Sequence, residues 1–363
     1  MLEFRLTLTG ISSAKQIDER PAEHFSHPIG TGPYFFDEWV RGQYWTANVN
    51  PDWWGLAAEN AYGEAKPQFE SLRFIFHPEG SARNAMVRAG EAHLATNPSP
   101  EDCLAAENND GYTCVTGPSD AYLYGRLDQS MHAHPALQDM RLRRAIFHAL
   151  DYEGIADLIG LASVPQGQLG TPDMLGFNED LSQYEYNPDL ALRLVEEARA
   201  DGLVVEVVRR SSTPRVGSMT EAIGFFLDQV GIKTEINVQL PDVFNPRVRI
   251  KGYAEEAPRA MMQVHVKQNA SGELGNYACP NIDDPSRSSV HCNPEFDIKL
   301  ATALTLSGNE RDAALKELVG FLYEQYPIIP MALLDKGYLI SDQYTYTFGV
   351  DHRFLAVNVT PKQ

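Results

Sequence analysis

The stretch Leu203–Leu240, LVVEVVRRSSTPRVGSMTEAIGFFLDQVGIKTEINVQL, decides the fold class. Leu203–Val208 is β-branched and apolar, so it predicts a strand. Ser218 and Glu221 have the S-x-x-E spacing of a capping box, and Ile223, Phe226, Leu227 and Val230 follow at helical spacing, with Gly231 as terminator. Ile232, Thr234, Ile236, Val238 and Leu240 then alternate with polar residues, as a second strand does. Strand, helix and strand at this spacing form a βαβ unit, whose strands are parallel and whose crossover is right-handed. The class is α/β.

Outward from this unit the other elements fall into place. Toward the N-terminus, Asn187-Pro188 opens a helix with an Ala191/Leu194/Val195/Ala198 stripe and Gly202 beyond it. Leu142, Ile146, Ala149 and Leu150 mark another helix, with Arg141, Arg143 and Arg144 assigned mostly to its other faces. Earlier still, Tyr34–Val40 and Gln43–Asn48 flank Arg41-Gly42 as a hairpin, and Leu72–His77 is a strand. Ser81 is read as the N-cap of a short helix, and His93–Thr96, Tyr112–Thr116 and Ala121–Leu127 as separate strands. Toward the C-terminus, Asn293-Pro294 and Asn309 each begin a helix, and Ile328–Leu334 is a late strand.

The chain has 363 residues, which at about 150 per domain predicts two domains. Thirty Lys and Arg against 49 Asp and Glu leave a net charge of −19, which repels nucleic acid and anionic lipid and so argues against both as partners. No apolar run reaches the about 18 residues of a membrane-spanning helix. Met1-Leu2-Glu3-Phe4-Arg5-Leu6-Thr7 has an acid where a secretory signal is basic, so the N-terminus taken by itself predicts a cytoplasmic chain.

Four cysteines, Cys103, Cys114, Cys279 and Cys292, allow three pairings, and reduced thiols are an equal alternative. No C-x-x-C is present to suggest zinc or thioredoxin-type chemistry. Gly30-Thr31-Gly32-Pro33 lacks the third glycine and the following helix of a dinucleotide loop, and is read as a turn whose glycines supply backbone freedom. His132-Ala133-His134 offers two metal ligands without a third, and Asp283-Asp284 reads as a solvated loop. No cofactor motif and no nucleophile–base signature occurs, so no enzyme activity is expected.

Three sets of residues carry a resemblance. The first is His27-Pro28-Ile29-Gly30-Thr31-Gly32-Pro33-Tyr34, followed by Asn50-Pro51-Asp52-Trp53-Trp54-Gly55. The second is Gln138-Asp139-Met140-Arg141-Leu142-Arg143-Arg144-Ala145 with Ala149-Leu150-Asp151. The third joins the helix ending at Gly231-Ile232 to Pro327-Ile328-Ile329-Pro330. In this order they resemble the family 5 extracellular solute-binding proteins, the peptide/nickel-type receptors of ABC importers.

The resemblance implies a two-lobe, periplasmic-binding-protein-like α/β fold that closes by a hinge on a small solute, presented to ABC permease subunits. It implies an outward crossing near Leu123–Asp128 and a return near Leu333–Lys336. Residues 1–127 would then be a remnant of lobe I, 128–334 lobe II, and 335–363 the return to lobe I. Family members carry a signal peptide and a large first part of lobe I ahead of the G-T-G-P-Y turn. The chain therefore resembles a fragment of a monomeric periplasmic or extracellular protein, and oxidised pairs Cys279–Cys292 and Cys103–Cys114 are favoured. An extracytoplasmic hydrolase and a sensory binding protein on the same fold are the alternatives.

The resemblance also suggests ligand contacts. Arg210 matches an arginine that meets the ligand carboxylate in dipeptide-binding relatives. Lys267 stands where those relatives have an aspartate for the ligand's amino group, which reverses the charge preference toward an anion. His265 occupies a position that is often tryptophan. Tyr122, Tyr124 and Tyr277 are candidate aromatic walls, whereas Trp53 and Trp54 are assigned to hairpin packing.

Overall fold

The computed structural model describes residues 13–56, 66–129, 133–160, 164–168, 170–172, 174–211, 216–248, 260–268, 274–279, 291–348 and 354–362. In chain order the first half runs α1 (Ala14–Glu19), β1 (Tyr34–Val40), β2 (Tyr44–Val49), β3 (Ser71–Ile75), α2 (Gly80–Arg88), β4 (Leu94–Thr96), α3 (Pro100–Glu107), β5 (Tyr112–Leu127), α4 (Met140–His148), α5 (Tyr152–Ile159) and β6 (Val164–Pro165). It continues with α6 (Pro188–Glu197), β7 (Val204–Arg210), α7 (Gly217–Gln229), β8 (Lys233–Gln239), α8 (Pro241–Arg247), β9 (Ala260–Gln268), α9 (Pro294–Thr305), α10 (Gly308–Tyr323), β10 (Ile328–Ser341), β11 (Tyr344–Tyr346) and β12 (Val359–Pro361). None of the described helices is long and apolar enough to cross a membrane.

The chain divides into two compact units, residues 1–118 with 336–363, and residues 119–335. Strands β5 and β10 each begin in one unit and end in the other. The divide at Pro118 and Ser119 falls inside β5, not at its end.

In the first unit β1, β2 and β3 form an antiparallel sheet, with Tyr34 opposite Val49 and Tyr44 opposite Ile75. Trp45 stacks on Phe74 with centroids 4.3 Å apart. The two motifs that flank the hairpin are bonded to each other: Asn50 donates its backbone N–H to the carbonyl of Pro33 at 2.8 Å and its side-chain amide to that of Gly32 at 3.2 Å. Neither Gly30 nor Gly32 takes a positive φ, so the turn does not use the backbone freedom expected of its glycines. Trp53 is buried, while Trp54 is 54% exposed and so does not take the packing role assigned to it. Strand β5 is one element of 16 residues, where the sequence predicts two strands. Within it, Gly117 leaves room for the ring of Phe348, with which a Cβ there would collide.

The second unit holds the larger core. Its strand order is β10–β5–β9–β7–β8, with β7 parallel to β8 (Val204 opposite Lys233, Arg210 opposite Gln239) and to β9 (Val205 opposite Ala260). The βαβ unit is present as expected. Helix α7 ends in a Schellman motif: Gly231, at φ +85°, donates to the carbonyl of Asp228, and Ile232 to that of Leu227. Its start differs from expectation. The N-cap is Val216, and Ser218 lies inside the helix without capping it, because the nearly fully buried Val216 sets the first turn. The N-caps of α2 and α10 likewise fall at Glu79 and Ser307, ahead of Ser81 and Asn309. Helix α3, capped by Ser99, was not anticipated, although Ser99-Pro100-Glu101-Asp102 carries the capping signature.

One sheet face packs Leu123, Leu127, Val205, Val207, Met262 and Val264 against α4, α5, α6 and α7. Arg143 of α4 is buried with them and not on an outer face. Its guanidinium donates to the carbonyls of Leu137 and Gln138, both at 2.9 Å, and of Gln325 at 3.3 Å, so the buried charge is hydrogen-bonded.

Candidate functional site

The opposite face of that sheet is polar. Alternation along β5 puts Tyr122, Tyr124 and Arg126 on one side, and antiparallel register sets them opposite Lys267, His265 and Gln263 of β9. On β7, Val208 stands opposite the same Gln263, and Glu206 and Arg210 share its side of the strand. Arg126 and Gln263 are buried, at 1% and 0% exposure, so this is a desolvated face with polar groups and not a second apolar layer. Arg126 donates to the hydroxyl of Tyr124 at 2.9 Å and lies 5.4 Å from the centre of its ring.

Two blocks cover this face. Toward β5, α9 and α10 pack Phe296, Leu318 and Leu322 onto Tyr122, Tyr124 and Tyr277. The three tyrosines are thus brought into one buried cluster, and packing is the role their rings have there. Toward β7, α8 lays Phe244 and Val248 over Val208 and Met261. Arg247 of α8 pairs with Glu206 at 2.6 Å, and Asn237 of β8 donates to the same carboxylate oxygen at 2.9 Å.

Arg210 is the final residue of β7, at the carboxyl end where open α/β sheets bind ligands. Its guanidinium donates to Oδ1 of Asn245 at 2.6 Å and sits 5.1 Å from the ring centre of Phe244. His265 and Lys267 are placed by backbone register alone, and their side chains lie outside the described residues. Cys279 and Cys292 form a disulfide with Cα atoms 4.4 Å apart, and Cys103 and Cys114 form another at 5.0 Å. The backbone N–H of Cys279 donates to Asp297 of α9, so the first bridge is anchored beside Tyr277.

His291, next to Cys292, is 4% exposed and bonds through Nδ1 to Oε1 of Gln129 at 3.0 Å. The carboxamide oxygen accepts, so Nδ1 carries the proton. Burial, with a smaller contribution from the nearby Arg143 charge, lowers its pKa from 6.5 to about 4. It is neutral at physiological pH. His134 uses Nδ1 to accept from the N–H of Ala136, and His132 and Asp283-Asp284 lie outside the described residues. Among the described residues no group of three or more His, Cys, Asp or Glu is placed to hold a metal.

Arg126, Gln263, Asn245 and the Glu206–Arg247 pair lie on or beside this face and are not among the candidates singled out from the sequence. The alternation Tyr122, Tyr124, Arg126 was available as a signal for the first of these. Nothing in Phe244-Asn245-Pro246 announces that Asn245 reaches back to β7.

The chain is similar to a dipeptide-binding protein of Escherichia coli strain K12, 26% identical over 323 residues, which are 84% of this chain and 56% of the relative. It is similar to di/tripeptide-binding protein 2 of Pseudomonas aeruginosa, 22% identical over 316 residues, 85% of this chain and 56% of the relative. The chain thus spans a little over half the length of these curated relatives. Among solved structures it resembles the dipeptide binding protein of Pseudoalteromonas sp. SM9913 in complex with Met-Leu, with a TM-score of 0.77, 19% identity, and coverage of 97% of this chain and 69% of that one. NikA of Brucella suis in complex with Fe(III)-EDTA matches with a TM-score of 0.75, 21% identity, and coverage of 92% and 69%. These likenesses show a shared α/β fold. The model of the bacterial extracellular solute-binding proteins, family 5 (middle), matches residues 3–256, most of the chain and the part that carries β1 to β8, so the chain belongs to that family.

Proposed function

We propose that the chain is the solute-capturing part of an ABC importer's binding protein, working outside the cytoplasm, without catalysis, and delivering a small peptide-like acid to membrane permease subunits. Residues 119–335 act as its lobe II, and residues 1–118 with 336–363 contribute to lobe I. Closure on the ligand supplies the signal of occupancy, since a ligand shifts only the equilibrium whose two states it binds differently. One observation carries the ligand reading: Arg210 stands at the carboxyl end of β7, where open α/β sheets bind ligands.

Family membership and the peptide-binding relatives support the peptide-like scaffold. By the family resemblance, Lys267, opposite Tyr122 in backbone register, takes the position of the aspartate that meets a ligand's amino group in dipeptide-binding relatives. The ligand is therefore acidic with a blocked amine. A charge-assisted hydrogen bond contributes about 1.5–3 kcal/mol, so loss of either cation weakens binding roughly tenfold or more. Calorimetry with N-acetyl-Ala-Ala and Ala-Ala tests this. The acetylated probe is expected to bind more tightly, and Arg210→Ala and Lys267→Ala each to weaken it. Tight binding of Ala-Ala that Lys267→Ala leaves unchanged overturns the charge preference.

A further inference from the structure

Strand β8 ends the strand order of its sheet, with β7 as its neighbour on one side. Sheet edges are usually kept short, or broken by a proline, a bulge or an inward charge, because their unpaired N–H and C=O groups are a template for another strand. Strand β8 has none of these devices. It runs for seven residues, Lys233–Gln239, without a proline, and pairs with β7 residue for residue with no shift of register. The N–H of Lys233 donates to the carbonyl of Leu203, and the carbonyl of Gln239 accepts from Ser211, so its odd-numbered residues bond inward to β7. Thr234, Ile236 and Val238 therefore direct their backbone groups to the outer edge. Their side of the strand is apolar there as well, since Ile236 and Val238 are 41% and 47% exposed, and Leu240 just beyond is 66% exposed.

We propose that two copies of this chain associate through this edge, by antiparallel pairing of β8 with β8 about a two-fold axis at Ile236, in place of the monomer that the family resemblance implies. A two-fold axis perpendicular to a sheet opposes residues placed symmetrically about it. Ile236 is the middle residue of β8 and has its backbone groups on the outer edge, so the whole strand can pair with its copy through about six backbone hydrogen bonds. In this register Ile236 meets Ile236 and Thr234 meets Val238 on the face beneath α7, where Thr234 and Ile236 lie against Gly224. On the other face Lys233 meets Gln239 and Glu235 meets Asn237, so no like charges are opposed. Shifting the axis by one residue to Glu235 would set two carboxylates against each other. The charge of −19 on each copy, with Glu221 and Asp228 on the same face of α7 as Gly224, opposes association at low salt. The contact is accordingly a small, transient one.

The test is sedimentation velocity of the full chain from about 5 to about 300 µM, a range that spans weak interfaces of this size. A shift from monomer to dimer is expected, and it should strengthen between about 50 and about 500 mM NaCl as the acidic repulsion is screened. Ile236→Lys opposes two ammonium groups at the axis and should weaken the dimer at least tenfold. Its circular dichroism is compared with that of the natural chain, and cross-linking gives an answer that does not depend on this variant folding. Ile236→Cys should be joined to its copy by a short bis-maleimide. Lys233→Cys, about 20 Å from its own copy in this register, should not. A chain that stays monomeric at every concentration and salt overturns the inference. So does a dimer that a folded Ile236→Lys leaves intact, or one in which Lys233→Cys cross-links and Ile236→Cys does not, since the copies would then meet elsewhere or in another register.

Discussion

His291 is held neutral by its burial, and this has a measurable consequence for stability. In the unfolded chain a histidine takes up a proton near pH 6.5, whereas in the folded chain this one resists until about pH 4. Because the folded value is depressed, the stabilisation is complete above pH 6.5 and declines as the pH falls toward 4. The loss at the lower end is roughly 3 kcal/mol from the size of the shift. Urea unfolding at pH 7 and pH 4.5 should therefore show a steeper decline for the natural chain than for His291→Gln. Parallel declines in the two proteins would mean that the imidazole is not responsible.

Among the elements, Ser99 and Ser218, which share the capping-box spacing, separate pattern from structure. Ser99 accepts from the N–H of Asp102 at 3.1 Å, and the Asp102 carboxylate accepts from the N–H of Ser99 at 3.2 Å, a complete capping box at the start of α3. Ser218 has the same spacing to Glu221 but lies within α7. Ser99→Ala should cost about 1 kcal/mol in denaturant unfolding, and Ser218→Ala less than about half of that. Equal costs would restore Ser218 as a cap. At the far end of α7, Gly231 has φ +85° and a Cβ there would lie 2.7 Å from Asp201 Oδ1. Gly231→Ala therefore combines backbone strain with a contact, and a loss of about 1–2 kcal/mol is expected by the same measurement. A neutral result would show that the Schellman turn relaxes.

Across the whole molecule, protection should follow the division into units. Residues 119–335 contain a core in which Val205, Val207, Met262, Leu142, Ile223 and Leu227 are fully buried. In the other unit β1 has no buried residue, β2 has only Ala47, and Phe35, Trp39, Ile75 and Phe76 are 40–50% exposed. Native-state hydrogen exchange should find amides of β7 and β9 exchanging only with global unfolding, and those of β1 to β3 opening far more easily. Equal, high protection in both would contradict this.

Features set by neighbours along the chain were determined by the sequence alone. The caps Asn187 and Asn293, the prolines after them, and the Gly231 terminator depend on atoms a few residues apart, so local pattern identifies them. The alternation that revealed β8 is equally local, and with α7 and β7 it was enough to establish the α/β class. The same alternation did not say which face would be covered. Because β8 ends the strand order, Ile236, Val238 and Leu240 are 41%, 47% and 66% exposed. Burial of Arg143 required carbonyls as distant in sequence as that of Gln325, and the hold on Arg210 required α8 to fold back across 35 residues. Only the tertiary structure decided those arrangements, because a buried cation costs several kcal/mol until partners remote in sequence are brought around it.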